Sequence, residues 1–198
     1  MIRATLLLAC CAVAATGCSQ QQDLRGDAPG YAEAAVAPYI GTTIRYYDVQ
    51  GTDLRTIRAS LNSFGLEDSN DHTAHDGQTH WDAKWDWSNE PDGRCDLSHL
   101  RYTFRIIVTL PHLEDEDRLQ PELRKKWGNY MAALISHEIG HVRNAYEHRM
   151  QPGDAVRSST CDSANAAGEA AVAELRKFDA QYDSDTRHGA TQGAIFPA

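Results

Sequence analysis

The chain has 198 residues, with 19 Lys and Arg set against 28 Asp and Glu, and carries a formal net charge of -9. That acidic balance, with no basic stripe to reverse it, argues against nucleic acid or an anionic lipid surface as the partner. The length is enough for one domain with a sizeable core, and no repeat or long low-complexity segment divides it.

Met1-Ile2-Arg3 followed by TLLLACCAVAA reads as a signal peptide, a positive start before an apolar run too short to span a bilayer. Ala15-Thr16-Gly17-Cys18 then reads as a lipobox, so residues 1–17 are expected to leave and Cys18 to carry lipid. Its first alanine stands where leucine is more usual, which keeps ordinary secretion as the alternative. Ser19, in place of an aspartate after the cysteine, favours the outer membrane over the inner one. The expectation is a periplasm-facing outer-membrane lipoprotein held by more than one acyl chain. Loss of residues 1–17, whose only charged side chain is Arg3, moves the formal charge from -9 to -10. Residues 18–38 read as a flexible tether, and residues 39–198 as a single domain.

Within that domain TTIRYYDVQG reads as a strand, and DLRTIRASLNSFG as a short helix with Leu54, Ile57, Leu61 and Phe64 on one side and a glycine stop. A polar loop follows, and its His72 and His75, with the nearby His80, are weaker metal candidates than they are solvated loop residues. THWDAKWDWS alternates through Trp81, Trp85 and Trp87, and LSHLRYTFRIIVTLP alternates before turning apolar, so both read as strands. The expected fold is α+β: a small antiparallel sheet packed on a long helix in the manner of zincins, followed by a second helix and a C-terminal loop. The tryptophans suit sheet or core packing better than a substrate cleft.

The long helix starts at Pro121. Trp127, Tyr130, Met131, Leu134, Ile135, Ile139, Val142 and Tyr146 recur at three- and four-residue intervals, and Gln151-Pro152-Gly153 is expected to end it. It carries His137-Glu138-Ile139-Gly140-His141, an H-E-x-x-H motif. Histidines four apart stack on one helix face, close enough to share one ion, and the glutamate between them reaches water at that ion. Imidazole suits Zn2+, and a coordination position left to water is what a hydrolase needs. Glu138 is thus the candidate general base, one zinc per chain is the expected cofactor, and Gly140 is compatible with substrate passing close by.

Two histidines do not complete a catalytic zinc site, which takes three protein ligands plus water. His148 is nearly in phase with His137 but stands about 10 Å along the axis from His141, with no Gly or Pro between to break the helix. A metzincin arrangement is excluded, because its glycine position is Asn144 and no histidine follows at 147. Three candidates stay open: Glu169 and Asp183 on the following helix, and His188 in the terminal loop TRHGATQGAIFP.

Cysteine usage agrees with export. Cys10 and Cys11 leave with the signal and Cys18 takes the lipid, so Cys95 and Cys161 remain and are expected to form one disulfide.

The chain also resembles the bacterial family described as predicted secreted zinc-dependent proteases. The resemblance runs from about Thr43 to Pro197, through Tyr46-Tyr47-Asp48-Val49, Trp127 and the H-E-x-x-H core. Its most specific part is the closing Tyr182-Asp183, Thr186, His188-Gly189, Gln192-Gly193-Ala194 and Phe196-Pro197. It implies peptidase activity on a peptide or protein substrate. It also implies a terminus folded back on the metal, which raises His188 as third ligand and offers Tyr182 as an oxyanion stabiliser. The alternatives are a non-catalytic zinc-binding envelope lipoprotein and a hydrolase of peptidoglycan peptide or amide bonds.

Overall fold

A computed structural model describes residues 28–67 and 73–197. Residues 1–17, read above as a signal peptide, Cys18 and His72 lie outside the described residues. Among those described, no helix is long and apolar enough to cross a membrane.

The elements follow in the order α1 (Ala28–Val36), β1 (Thr42–Val49), α2 (Leu54–Phe64), β2 (Leu66–Glu67), β3 (Ala74–His75), β4 (Gln78–Asp86), β5 (Arg101–Leu113), α3 (Pro121–His148), α4 (Gln151–Arg157) and α5 (Ala164–Thr186). Helix α2 begins at a capping box in which the Asp53 side chain accepts from the Thr56 backbone and the Thr56 hydroxyl accepts from the Asp53 N–H. Two orphan donors are thereby satisfied. Its buried residues, Ile57 and Leu61, lie four apart on the face that meets the core.

The α+β expectation holds. The main sheet has the order β1-β5-β4, and β5 is its central strand. One pairing departs from the antiparallel expectation: β4 runs antiparallel to β5, whereas β1 runs parallel to it, with Thr42 opposite Ile106 and Val49 opposite Leu113. Alternation along a strand reports which face is buried and carries nothing about the direction of the neighbour. The parallel pair is reached through a crossover that contains α2, β2, β3 and β4. Val108 and Leu110 of the sheet pack with Ile57 and Leu61 of α2 and with Met131 and Ile135 of α3 in a single core.

Within the segment read as a tether, Ala28–Val36 form α1, which lies against α3 and buries Ala32. Small alanines allow that close approach even though the segment's composition is that of a linker. At the far end of α3 the helix stops at His148 as foreseen, but Gln151-Pro152-Gly153 opens α4 instead of forming a turn. Proline in a helix's first turn gives up only an N–H that has no partner there. The Cys95–Cys161 disulfide joins the loop between β4 and β5 to the segment before α5.

Candidate metal centre

His137, Glu138 and His141 are all buried on the core-facing side of α3, at 5, 3 and 7 % exposure. The two imidazoles project their Nε2 atoms at one oxygen of Asp183 on α5: His137 Nε2 lies 3.3 Å and His141 Nε2 3.0 Å from Asp183 Oδ1. Donors held at ~2.0–2.2 Å by a tetrahedral ion stand roughly 3.3–3.6 Å apart, so this spacing fits a divalent ion with few shifts. The donor set, two neutral-capable imidazoles and a carboxylate, also suits zinc. His137, His141 and Asp183 have ligating atoms that all lie within 4.8 Å of one another.

The outward nitrogens of both histidines are held as well. Asp179, one turn before Asp183 on α5, accepts from His141 Nδ1 at 3.3 Å, from Asn144 Nδ2 at 3.1 Å and from the Trp81 indole at 2.6 Å. His137 Nδ1 donates to Gln192 Oε1 at 3.0 Å, and Gln192 Nε2 donates in turn to the Tyr182 hydroxyl at 3.1 Å. Such partners set the ring orientation and aim Nε2 inward. Sequence reading missed Asp179. The available signal was its spacing of four from Asp183, which puts both carboxylates on one helix face.

Burial works against the charged form of His141, but hydrogen bonds to Asp179 and Asp183 and the charge of Glu138 outweigh it and raise its pKa to about 10. Burial likewise disfavours the Asp183 carboxylate, yet hydrogen bonds from His137 and His141 hold it well below the usual carboxylate range. Without metal the centre is therefore an ion pair between an imidazolium and a carboxylate.

Glu138 sits beside that group. Its Oε2 accepts from the Thr79 hydroxyl at 2.8 Å, at the start of β4. Burial raises its pKa above the ordinary value, against the nearby histidines and the Thr79 bond, which lower it. Oε1 lies against Gly77, where a Cβ would come within 2.8 Å of it. The three motif residues and Asp183 line a cavity of about 410 Å³.

His188 sits at the rim. Its Nδ1 is 3.7 Å from Asp183 Oδ1, its ring stacks on His75 at 4.6 Å between centroids, and its side chain is 40 % exposed; it is not part of the mutually close group. Arg187 and His188 both have φ of 51°, followed by Gly189 at 76°. Three left-handed residues in succession reverse the chain after α5, so the terminus does fold back on the site, at a cost of roughly 1–2 kcal/mol for each non-glycine residue. Glu169 is exposed on α5 and lies about 21 Å along the axis from Asp183, out of reach.

Tyr182 takes a packing place. Its ring stacks on His137 at 5.2 Å and meets His141 edge-on at 4.8 Å, and it does not line the cavity. A Cβ on Gly140 would fall 2.1 Å from the Tyr182 hydroxyl, so the wall that requires this glycine is Tyr182 and not substrate. His148 donates to the Asn144 carbonyl and stacks on Phe178, while His80 is exposed on β4.

Fold and site together define an α+β protein built around an H-E-x-x-H helix, with a buried two-histidine, one-aspartate group able to hold a metal ion. Over residues 44–189 the chain matches the family described as "Bacterial protein of unknown function (DUF922)", and it belongs to that family. No curated protein and no solved structure matches it.

Proposed function

We propose that this chain is a zinc-dependent peptidase in which His137, His141 and Asp183 hold the ion and Glu138 is the general base. The observation that carries this reading is the Glu138 carboxylate: buried, oriented by Thr79, and in the same cavity as the three donors. A structural zinc site fills its positions with protein ligands and has no use for such a carboxylate. Bound zinc supplies Lewis acidity, polarising a carbonyl and making water a better acid. Glu138 takes the proton of the attacking water and delivers it to the leaving amine, a task its raised pKa favours. Asp183 takes the third ligand position in this reading, and His188 stays at the cavity mouth.

Strand β4 supports an extended substrate. It is an edge of the sheet, and Thr79 at its start touches Glu138. A peptide added beside it as a further strand passes over the cavity. The signal peptide and Cys18 favour the cell envelope as the place of action, and the Cys95–Cys161 bond agrees with an oxidising compartment.

The test is elemental analysis and peptide hydrolysis on the same preparation. One zinc per chain and hydrolysis reduced about 10²–10⁴-fold in Glu138→Gln, with zinc retained, is the expected result. Full activity in Glu138→Gln sinks the mechanism. A folded protein that takes up no zinc leaves the motif without its function, and one that binds zinc and hydrolyses nothing is a binding lipoprotein.

A further inference from the structure

The cavity changes character along α3. Around the donor group its walls are histidines and carboxylates, but one turn before Glu138 the lining is Leu134, joined by Ala194, Ile195 and Phe196 from the terminal segment. Leu134 and the Glu138 carboxylate are neighbours: a Cβ on Gly77 would lie 2.9 Å from Leu134 Cδ1 and 2.8 Å from Glu138 Oε1.

The terminal segment is firmly held. Phe196 is 2 % exposed, with its ring 5.5 Å from Trp127 and 5.3 Å from Tyr130. Ile195 beside it stands 62 % exposed at the cavity. A lone exposed isoleucine needs no explanation on a convex surface. Here it stands between half-buried Ala194 and buried Phe196 and lines the same cavity as Leu134.

Arg58, which also lines the cavity, does not offer its charge to an acidic group, because its guanidinium binds both carboxylate oxygens of Asp76. Asp76 in turn accepts from the Tyr130 hydroxyl at 2.8 Å. The charges there cancel within the protein, and the uncharged side chains of Asn62 and Gln78 also line the cavity, so no free charge on Arg58 or Asp76 competes with the apolar wall.

We propose that Leu134, Ala194, Ile195 and Phe196 form a specificity subsite for a large apolar side chain, with Ile195 as its adjustable wall. This rests on the peptidase reading. The subsite abuts the carboxylate that delivers a proton to the leaving amine, so the side chain it receives belongs to the residue on the amine side of the cleaved bond. Peptides with Leu, Met or Phe at that position are the substrates it selects.

The experiment uses the zinc-loaded protein and a set of peptides identical except for Leu, Phe, Ala, Asp or Lys at that position, with products identified by mass. Leu and Phe are expected to exceed Ala in kcat/KM by about tenfold or more, since even one methylene in an apolar pocket is worth roughly 10–200-fold. Ile195→Asp is expected to shrink the Leu-over-Lys ratio at least tenfold, with zinc content and Tm unchanged because the side chain is exposed. Ile195→Ser gives an intermediate ratio. Equal cleavage of the Lys, Asp and Leu peptides, or a ratio unmoved by Ile195→Asp, overturns the subsite and leaves the peptidase reading standing. Absence of Glu138-dependent cleavage from the whole set overturns both.

Discussion

The two helices that build the candidate metal centre are held by different forces. Helix α3 buries Trp127, Tyr130, Met131, Leu134, Ile135, Val142 and Ala145, an apolar stripe packed on the sheet, α1 and α2. Helix α5 buries six residues, and three of them are Asp179, Asp183 and Thr186. Its docking near the site relies on hydrogen bonds to Trp81, His141 and Asn144 and on the ion pair with the histidines. The disulfide holds the segment that leads into it. The histidine-bearing helix is thus placed mainly by nonpolar burial, whereas the helix that carries Asp183 is placed largely by the polar group it completes.

That contrast has measurable consequences. Cys161→Ser opens a cross-link spanning 66 residues and is expected to cost about 4 kcal/mol by chain entropy, with faster amide exchange in α5 than in α3. Equal exchange in both helices would break the comparison. Met131→Ala, at 1 % exposure in the stripe of α3, is expected to cost about 2–5 kcal/mol in denaturant unfolding, to the same extent with and without zinc. A zinc-dependent cost would mean that α3 too depends on the site.

Asp179→Asn keeps the shape but weakens the acceptor of His141 Nδ1. Zinc affinity measured by competition with a chelator should fall about 10–100-fold while the fold persists. Unchanged affinity would reduce Asp179 to a packing residue.

A further effect is read from pH. The pKa of His141 is raised from 6.5 to about 10 in the metal-free fold, so its contribution is complete below pH 6.5 and is lost as pH rises through about 10. Asp183 is shifted the other way, and its contribution is present above pH 3.8 and lost as pH falls. The Tm of metal-free protein should therefore decline between pH 6.5 and 10, and zinc, which takes His141 neutral, should remove the decline. A flat Tm in metal-free protein would contradict the ion pair between the helices.

Much of this protein was legible in the residues alone. The periodicity of Trp127 through Tyr146 marks α3, the alternation through Trp81 and Trp85 and through Tyr102 to Val108 marks β4 and β5, and the spacing of His137, Glu138 and His141 marks the candidate metal-binding face. These are local signals, because helix and strand geometry alone brings the residues concerned to one side. Cysteine counting reached the Cys95–Cys161 pair because the expected signal peptide and lipid site claimed the other three cysteines.

What only the tertiary structure decided is non-local. The parallel pairing of β1 with β5, the docking of α1, the opening of α4 at Pro152 and the place of Tyr182 against Gly140 each depend on how elements meet. The third donor is the clearest case. Glu169, Asp183 and His188 are all chemically able, and the closing motif drew attention to His188. Asp183 alone joins the mutually close group, since the docking of α5 brings its carboxylate 3.0 Å from a histidine 42 residues away in sequence. A helix spaces its own residues, but no local rule fixes which face of a distant helix it will meet; packing between helices does that.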